Sequence, residues 1–160
     1  MTGRDALKTP DDLLRMAIGI AMQNVREHGG RPFGAVIARD GEIVATGVNE
    51  THLAQDPTAH AELQAIRSAS KALGSRRLDG CVMYASGHPC PMCLSAMYLT
   101  GISEVCYAYS NEDGEPFGLS TAELYAELAK PLCEQAMRLE HRPIRLPDGD
   151  PYQAWLRASG

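Results

Sequence analysis

The sequence predicts an α/β fold in which helices cover both faces of a mixed sheet of about five strands, a three-layer α/β/α sandwich. The first observation is the order of the predicted elements, which is helix, hairpin, helix, strand, helix, strand, helix. The second is that strands and helices alternate after Val48, which predicts parallel neighbouring strands joined by right-handed crossovers. The length of 160 residues is that of one domain, so we expect residues 1–160 to form a single domain.

The chain opens with a predicted helix and a predicted hairpin. Residues 10–28 carry apolar side chains at helical spacing, and Gly29 and Gly30 follow as a stop signal. Residues 33–38 and 43–48 are short apolar runs on either side of an Asp-Gly turn, which is typical of two antiparallel strands.

The middle of the chain alternates helices and strands. The predicted elements are a helix over residues 59–73, a strand over 81–85, a helix over 91–100 and a strand over 104–108. His60 and Glu62 fall in the first turn of the first of these helices, where free backbone N–H groups and partial positive charge favour a bound hydroxide. Pro91 suits the first position of the second helix.

The pattern weakens after Asn111. It predicts a helix over residues 121–130 that continues to about residue 137, then a strand near 143–146. A short terminal helix is predicted over residues 151–158.

Composition and charge bound the class of protein. The hydrophobic fraction of 44% and the charged fraction of 22% are ordinary for a globular protein. The net charge of −5 favours a small-molecule substrate and makes nucleic acid a disfavoured partner, because proteins that grip a phosphate backbone usually show a basic face. We expect no membrane association, since no apolar run approaches the length of a span. Five cysteines, an odd number, predict a reducing compartment and a cytoplasmic protein.

Two short strings of residues predict a metal centre. They are His60-Ala61-Glu62 and Pro89-Cys90-Pro91-Met92-Cys93. One histidine and two cysteines supply three ligands for Zn²⁺, and three protein ligands leave a fourth position for water, as in catalytic zinc sites. Glu62 is placed to carry protons beside that water, and this order of residues is the pattern of zinc nucleobase deaminases.

Each half of this motif has another interpretation. A lone Cys-x-x-Cys also occurs in redox pairs and in structural zinc sites. A structural site needs a further pair of ligands, whereas Cys81, Cys106 and Cys133 stand isolated in apolar stretches. A redox pair has no need of the upstream His-x-Glu string. The two halves together therefore predict a catalytic zinc.

With these motifs the chain resembles the cytidine-deaminase-like superfamily, and within it the small bacterial guanine deaminases. The similarity covers nearly the whole chain and includes Arg31-Pro32-Phe33-Gly34-Ala35-Val36-Ile37 and Asp56-Pro57-Thr58. Pro151-Tyr152-Gln153-Ala154-Trp155 is similar to the closing segment of the guanine deaminases. The zinc motif is shared by the whole superfamily, whereas the Asp-Pro-Thr and Tyr-Gln-Ala-Trp segments narrow the resemblance.

The resemblance implies a role for each site residue. Zn²⁺ would be held by His60, Cys90 and Cys93, and Glu62 would be the catalytic proton carrier. Contacts to the substrate base would come from the side chains of Asn49 and Phe33 and from the backbone N–H of Ala61. The side chains of His88, Thr121 and Trp155 are further candidates for contact with the substrate. The resemblance also implies a homodimer, with residues 150–160 as a C-terminal segment that packs on the partner subunit.

The chain departs from the guanine deaminases at two points. His88 stands where they carry a glutamate, and Ser120-Thr121 stands where they place an acidic residue over the substrate. Carboxylates accept hydrogen bonds from the N–H donors of guanine, so their loss should weaken guanine recognition specifically. His88 is then either a substrate contact or a loop residue that hydrogen-bonds its neighbours.

The leading hypothesis is zinc-dependent hydrolytic deamination of an amino-substituted purine or related base, to the oxo base and ammonia. A tRNA adenosine deaminase shares the core motifs, but the acidic charge disfavours it. A cytosine, cytidine or guanosine deaminase is a further alternative. Outside the enzymes, a binding protein could keep zinc as a scaffold, although the intact Glu62 argues against it, and a structural zinc module would show a fourth protein ligand.

Overall fold

A computed structural model describes residues 7–159 of the chain. These residues fall into two compact parts, 7–126 and 127–159, which are described separately. The strands are Gly34–Arg39 (β1), Glu42–Val48 (β2), Cys81–Gly87 (β3) and Glu104–Tyr109 (β4). The α-helices are Pro10–His28 (α1), Thr51–Ala54 (α2), Ala61–Leu73 (α3), Pro91–Thr100 (α4), Asn111–Gly114 (α5), Ala122–Leu128 (α6) and Pro151–Ser159 (α7). Two 3₁₀ helices lie at Glu115–Phe117 and Leu132–Glu134.

The four strands form one mixed sheet in the order β2-β1-β3-β4. β1 pairs antiparallel with both β2 and β3, and β3 pairs parallel with β4. The predicted parallel crossover is therefore confirmed for β3 and β4, which α4 connects. It does not make β2 and β3 neighbours, because β1 lies between them.

The sheet is covered by helices on both faces, as predicted. Alternate residues of β1 divide between the two faces, as the period of a strand requires. Ala35 and Ile37 are buried in a cluster with α3 and α4, whereas Val36 and Ala38 are buried in a cluster with α1. The first cluster includes the two cysteines of the zinc motif, so the α3 and α4 side of the sheet carries the site.

α3 lies unusually close to β2 at Gly47. A Cβ atom on Gly47 would lie 2.2 Å from the carbonyl oxygen of Ala61 and 2.5 Å from the backbone nitrogen of Ala65. Only glycine allows this approach, which fixes the first turns of α3 against the sheet.

The second part, residues 127–159, differs from the predictions. The helix predicted to continue to residue 137 ends at Leu128, because Pro131 lacks the backbone N–H that a continuing helix needs. The strand predicted near residues 143–146 is wrong, and the sheet has four strands instead of five. Pro143 cannot donate to a ladder, and only an isolated bridge between Leu146 and Gly149 forms there.

No residue from 127 to 159 is buried. The exposed large apolar side chains of this part are Leu128, Leu132, Met137, Leu139, Ile144, Leu146, Tyr152, Trp155 and Leu156. None of the helices within residues 7–159 is both long enough and apolar enough to cross a membrane.

Candidate active site

The histidine and the glutamate of the first motif lie at the start of α3. His60 is the N-cap of the helix, with extended backbone angles (φ −72°, ψ 154°), and not a first-turn residue as predicted. A tight turn just before it explains the difference. Oδ1 of Asp56 accepts hydrogen bonds from the backbone N–H of Thr58 at 2.8 Å and from its hydroxyl at 2.7 Å. This turn ends the preceding loop and leaves His60 extended, so its ring and the side chain of Glu62 can face one site.

The two cysteines of the second motif lie at the start of α4. Cys90 is the N-cap, with extended backbone angles (φ −71°, ψ 165°), and Pro91 occupies the first turn, as predicted. Cys93 is one turn further on, and its side chain is fully buried. Both motifs therefore present their side chains from helix N-termini.

The structure brings the three predicted ligands together. Nδ1 of His60 lies 3.5 Å from Sγ of Cys90 and 3.6 Å from Sγ of Cys93. All three donor atoms lie within 4.8 Å of one another. With ordinary Zn–S and Zn–N bond lengths, the edge of a tetrahedral zinc site between sulfur and nitrogen is about 3.6 Å. The group is therefore the right size and the right chemistry to hold Zn²⁺, and its three members are the number that a catalytic zinc uses.

The protonation of the two thiols is coupled. A hydrogen bond from the Cys93 thiol lowers the pKa of Cys90 to about 4. The same bond, together with burial, raises the pKa of Cys93. The pKa of His60 is raised as well, mainly by its hydrogen bond to Cys90. The site thus has one thiolate ready and one thiol that must lose its proton when a metal binds.

Glu62 is a buried carboxyl beside this group. Its side chain is only 6% exposed, and its Oε2 lies 3.5 Å from Sγ of Cys93. Burial raises the pKa of Glu62 above its ordinary value. A raised pKa makes the carboxylate a better proton acceptor, which suits a group that must take a proton and then pass it on.

Asn49 is held in a defined orientation at the end of β2. Its Oδ1 accepts hydrogen bonds from the backbone N–H of Thr51 at 3.3 Å and from its hydroxyl at 2.9 Å. Its backbone carbonyl accepts from Asn24 at 2.9 Å. The side-chain NH₂ makes no hydrogen bond to residues 7–159, so it is the group that Asn49 can offer to a ligand.

Phe33 and Ala61 also belong to the surroundings of the site. Phe33 packs against the cluster that contains Ala61, Cys90 and Cys93. Ala61 is fully buried at the first position of α3, where a backbone N–H has no partner within the helix.

The side chains of His88 and Thr121 are engaged with neighbouring residues. The imidazole of His88 lies between two tyrosine rings, with centroid distances of 4.6 Å to Tyr107 and 5.4 Å to Tyr125. Thr121 donates its backbone N–H to Oδ1 of the buried Asn111 at 3.0 Å. Trp155 lies on α7 in the second part, where its side chain is 69% exposed.

Tyr125 is a residue of this region that the sequence analysis missed. Its hydroxyl donates a hydrogen bond to the carbonyl of Pro89, next to Cys90. No motif contains Tyr125, and its partner lies 36 residues away in the chain. Only the fold brings them together.

An α/β/α fold that presents a histidine and two cysteines beside a buried glutamate defines a zinc-dependent hydrolytic deaminase. Residues 7–109 match the family described as cytidine and deoxycytidylate deaminase zinc-binding region. The chain belongs to this family, and its cofactor is Zn²⁺.

Two relatives show how far the similarity extends. The guanine deaminase of Bacillus subtilis (strain 168) is 40% identical over 145 residues, which is 91% of this chain and 92% of the relative. The tRNA-specific adenosine deaminase of Aquifex aeolicus (strain VF5) is 33% identical over 119 residues, which is 74% of this chain and 76% of the relative.

Solved structures agree with the sheet and helix arrangement. The Bacillus subtilis guanine deaminase superimposes with a TM-score of 0.83 at 39% identity, covering 94% of this chain and 95% of that chain. A second structure, solved in complex with 2,6-diaminopurine, superimposes with a TM-score of 0.69 at 25% identity. It covers 73% of this chain and 65% of that chain.

Proposed function

We propose that this deaminase acts on a free amino-substituted purine base, with guanine as the first candidate. The observation that carries the proposal is the group of His60, Cys90 and Cys93 in contact with the buried carboxyl of Glu62. The similarity to a guanine deaminase over 91% of this chain supports a purine, as does a structural neighbour solved with 2,6-diaminopurine.

The proposed reaction replaces the exocyclic amino group of the base by oxygen from water and releases ammonia. His60, Cys90 and Cys93 would hold Zn²⁺. When bound, Zn²⁺ lowers the pKa of its water to about 7 and so supplies a nucleophile at neutral pH. Glu62 takes the proton of the attacking water and passes it to the ring nitrogen beside the attacked carbon. Glu62 then takes the second proton from the hydroxyl newly bonded to that carbon and delivers it to the amine, so that the C–N bond breaks, ammonia leaves and the oxo group forms. The raised pKa of Glu62 suits both transfers.

Asn49, Ala61 and Phe33 would orient the base. With its Oδ1 already occupied by Thr51, Asn49 has only its NH₂ to offer, and this donor suits a carbonyl oxygen or ring nitrogen. The backbone N–H of Ala61 is a second donor at the start of α3. The ring of Phe33 supplies an apolar face for the aromatic base.

We also propose that His88 weakens the preference for guanine, because it does not supply the carboxylate that guanine deaminases carry at this position. Its imidazole packs between Tyr107 and Tyr125 and carries no negative charge, whereas a carboxylate would accept from the N–H groups of guanine. Thr121 is likewise a neutral residue, bonded to Asn111. This enzyme should therefore favour guanine less strongly over other amino-substituted bases.

A homodimer that acts in the cytoplasm completes the proposal. Residues 127–159 bury none of their own side chains and expose nine large apolar ones, an unusual amount for a free surface. A partner subunit would cover them, with residues 150–160 and Trp155 near the partner's site, so that the whole chain acts as one deaminase domain. Cysteines free of disulfides fit a reducing compartment.

The test is ammonia release by the purified, zinc-loaded chain on guanine, 2,6-diaminopurine, guanosine, adenine, cytosine, cytidine and a tRNA anticodon stem-loop. The Glu62→Gln variant serves as the blank. We expect turnover of the free purines, and a smaller preference for guanine than the Bacillus subtilis enzyme shows in a parallel assay. Activity on the stem-loop or on cytidine alone would overturn the proposed substrate class, and an equal preference for guanine would overturn the role given to His88 and Thr121.

A further inference from the structure

The backbone that leads into Cys90 has few hydrogen bonds of its own. Pro89 and Pro91 flank Cys90, and proline has no backbone N–H to donate. This stretch can therefore be fixed mainly through its carbonyl groups. Within residues 7–159, the backbone of Pro89 takes part in one hydrogen bond, which its carbonyl accepts from the hydroxyl of Tyr125.

Tyr125 reaches this carbonyl from α6, and its aromatic ring is held by its neighbours. The ring packs at 54° against His88, with the centroids 5.4 Å apart, and Tyr107 contacts the same imidazole at 4.6 Å. The backbone N–H of His88 donates to the carbonyl of Tyr109 at 2.8 Å. Residues 88 and 89 are thus tied to β4 on one side and to α6 on the other, immediately before Cys90.

We propose that Tyr125 is a positioning residue of the metal site, whose hydroxyl holds the carbonyl of Pro89 and thereby fixes Sγ of Cys90 at the metal-binding distance from His60. The proposal rests on the zinc ligation proposed above. Sγ of Cys90 lies 3.5 Å from Nδ1 of His60, which is close to the sulfur–nitrogen edge of a tetrahedral zinc site. Cys90 is the N-cap of α4, so its own N–H makes no helical hydrogen bond that would hold it at this distance. Groups that orient metal ligands from outside the ligand set are worth about 10- to 100-fold in metal affinity.

The test is the Tyr125→Phe variant, which keeps the ring against His88 and removes only the hydroxyl. We expect the dissociation constant for Zn²⁺, measured by competition with a chromophoric chelator, to rise about tenfold. In the Co²⁺-substituted protein, the visible absorption bands should shift or weaken because the ligand geometry changes. The matched control is Tyr98→Phe, because Tyr98 lies on α4 with the ligand Cys93 but its side chain is exposed.

Thermal unfolding with and without Zn²⁺ distinguishes a positioning role of Tyr125 from a purely structural one. Loss of a positioning bond should shrink the increase in Tm that Zn²⁺ produces, whereas general destabilisation lowers both values of Tm together. Unchanged affinity and an unchanged Co²⁺ spectrum in Tyr125→Phe would overturn the proposal, as would an equal fall of both Tm values. A wild-type chain without zinc affinity would overturn the ligand assignment itself, and Cys90→Ser tests that assignment independently of Tyr125.

Discussion

The Oε2 atom of Glu62 lies 3.5 Å from Sγ of Cys93. Glu62 is on the first turn of α3 and Cys93 is on the first turn of α4, so this contact joins the two motifs that the sequence separates. The proton carrier and one metal ligand therefore share a buried environment, and the charge of Glu62 adds to the hydrogen bond with Cys90 and the burial that raise the pKa of Cys93. The pKa of Glu62 is raised mainly by burial, and the charge of Cys90 adds to that effect.

Replacing the carboxyl of Glu62 by an amide should stop catalysis without emptying the metal site. We expect Glu62→Gln to lower kcat by at least about a hundredfold, because general acid–base transfer is lost while the three ligands stay. Ammonia release and the zinc content of the same preparation check this. Glu123→Gln, at an exposed position on α6, is the control and should match the wild type. Turnover near the wild-type value in Glu62→Gln would refute the proposed proton transfer.

Zinc affinity should fall as the pH falls. At neutral pH Cys90, with its pKa of about 4, is already a thiolate, whereas the raised pKa of Cys93 keeps it a thiol. Because the pKa of His60 is also raised, its imidazole carries a proton in part of the molecules. Zinc needs both thiolates and the neutral ring, so binding should release about one proton from Cys93 and a further fraction from His60 that grows as the pH drops.

Titration calorimetry of zinc binding in two buffers with different ionisation enthalpies counts these protons. An affinity that did not change between about pH 8 and pH 6, or binding without proton release, would contradict this coupling. Cys133→Ser is a control, because Cys133 is exposed and lies outside the ligand group.

The orientation of Asn49 predicts which of its two side-chain groups matters. Asn49→Asp keeps an oxygen for Thr51 but replaces the free NH₂ by an acceptor. We expect kcat/KM for guanine to fall about a hundredfold, because a donor to the base is lost and a negative charge faces it. The Tm should fall as well, because Asn49 is buried and the new carboxylate keeps only its hydrogen bonds from Thr51. Steady-state kinetics and thermal unfolding check both, and an unchanged kcat/KM would remove Asn49 from the substrate contacts.

The ligands could be predicted from the sequence because each motif lies at the start of a helix. Helix boundaries carry local signals, such as the proline after Cys90 and the glycine after Leu73, so α3 and α4 lie close to where the sequence predicts them. The N-cap position of His60 was not predicted, because it depends on the turn that Asp56 closes with Thr58.

Contacts between distant residues could not be predicted from local patterns. The hydrogen bond from Tyr125 to Pro89 and the tilted packing of His88 against two tyrosines depend on how α6 and β4 lie beside the start of α4. The prediction of a strand near residues 143–146 was wrong for the opposite reason. Its apolar residues satisfy a local pattern, but Pro143 cannot complete a ladder.

The close approach of α3 to β2 at Gly47 should make this position intolerant of any side chain. We expect Gly47→Ala to cost about 1–3 kcal/mol of unfolding free energy and to weaken zinc binding, because α3 must move away from the sheet. Gly19→Ala is the matched control, since a Cβ there meets nothing within 4 Å. In the middle of α1 it should stabilise by about 0.5–1 kcal/mol. Urea unfolding of both variants checks the prediction, and equal stabilities would refute it.

The proposed dimer makes a prediction about mixtures of two variants, each impaired by itself. If Trp155 acts at the partner's site, Trp155→Ala should lower kcat/KM although its own Glu62 is intact. In a mixed dimer with Glu62→Gln, one site combines the Glu62 of one chain with the Trp155 of the other. Random mixing of equal amounts should then restore about a quarter of the wild-type activity, as expected for a two-fold dimer.

Light scattering gives the oligomeric state before mixing, and ammonia release after unfolding and refolding the mixture gives the restored activity. The control is a mixture of Glu62→Gln with Cys90→Ser, which would recover activity only if one site took its Glu62 and its Cys90 from different chains. Neither mixture contains a chain in which Glu62, Cys90 and Trp155 are all intact. Restoration with Trp155→Ala but not with Cys90→Ser is therefore the result that assigns Trp155 to the partner, because Glu62 and Cys90 belong to the same site of the same chain. Absence of restoration in both mixtures would confine the site to a single subunit.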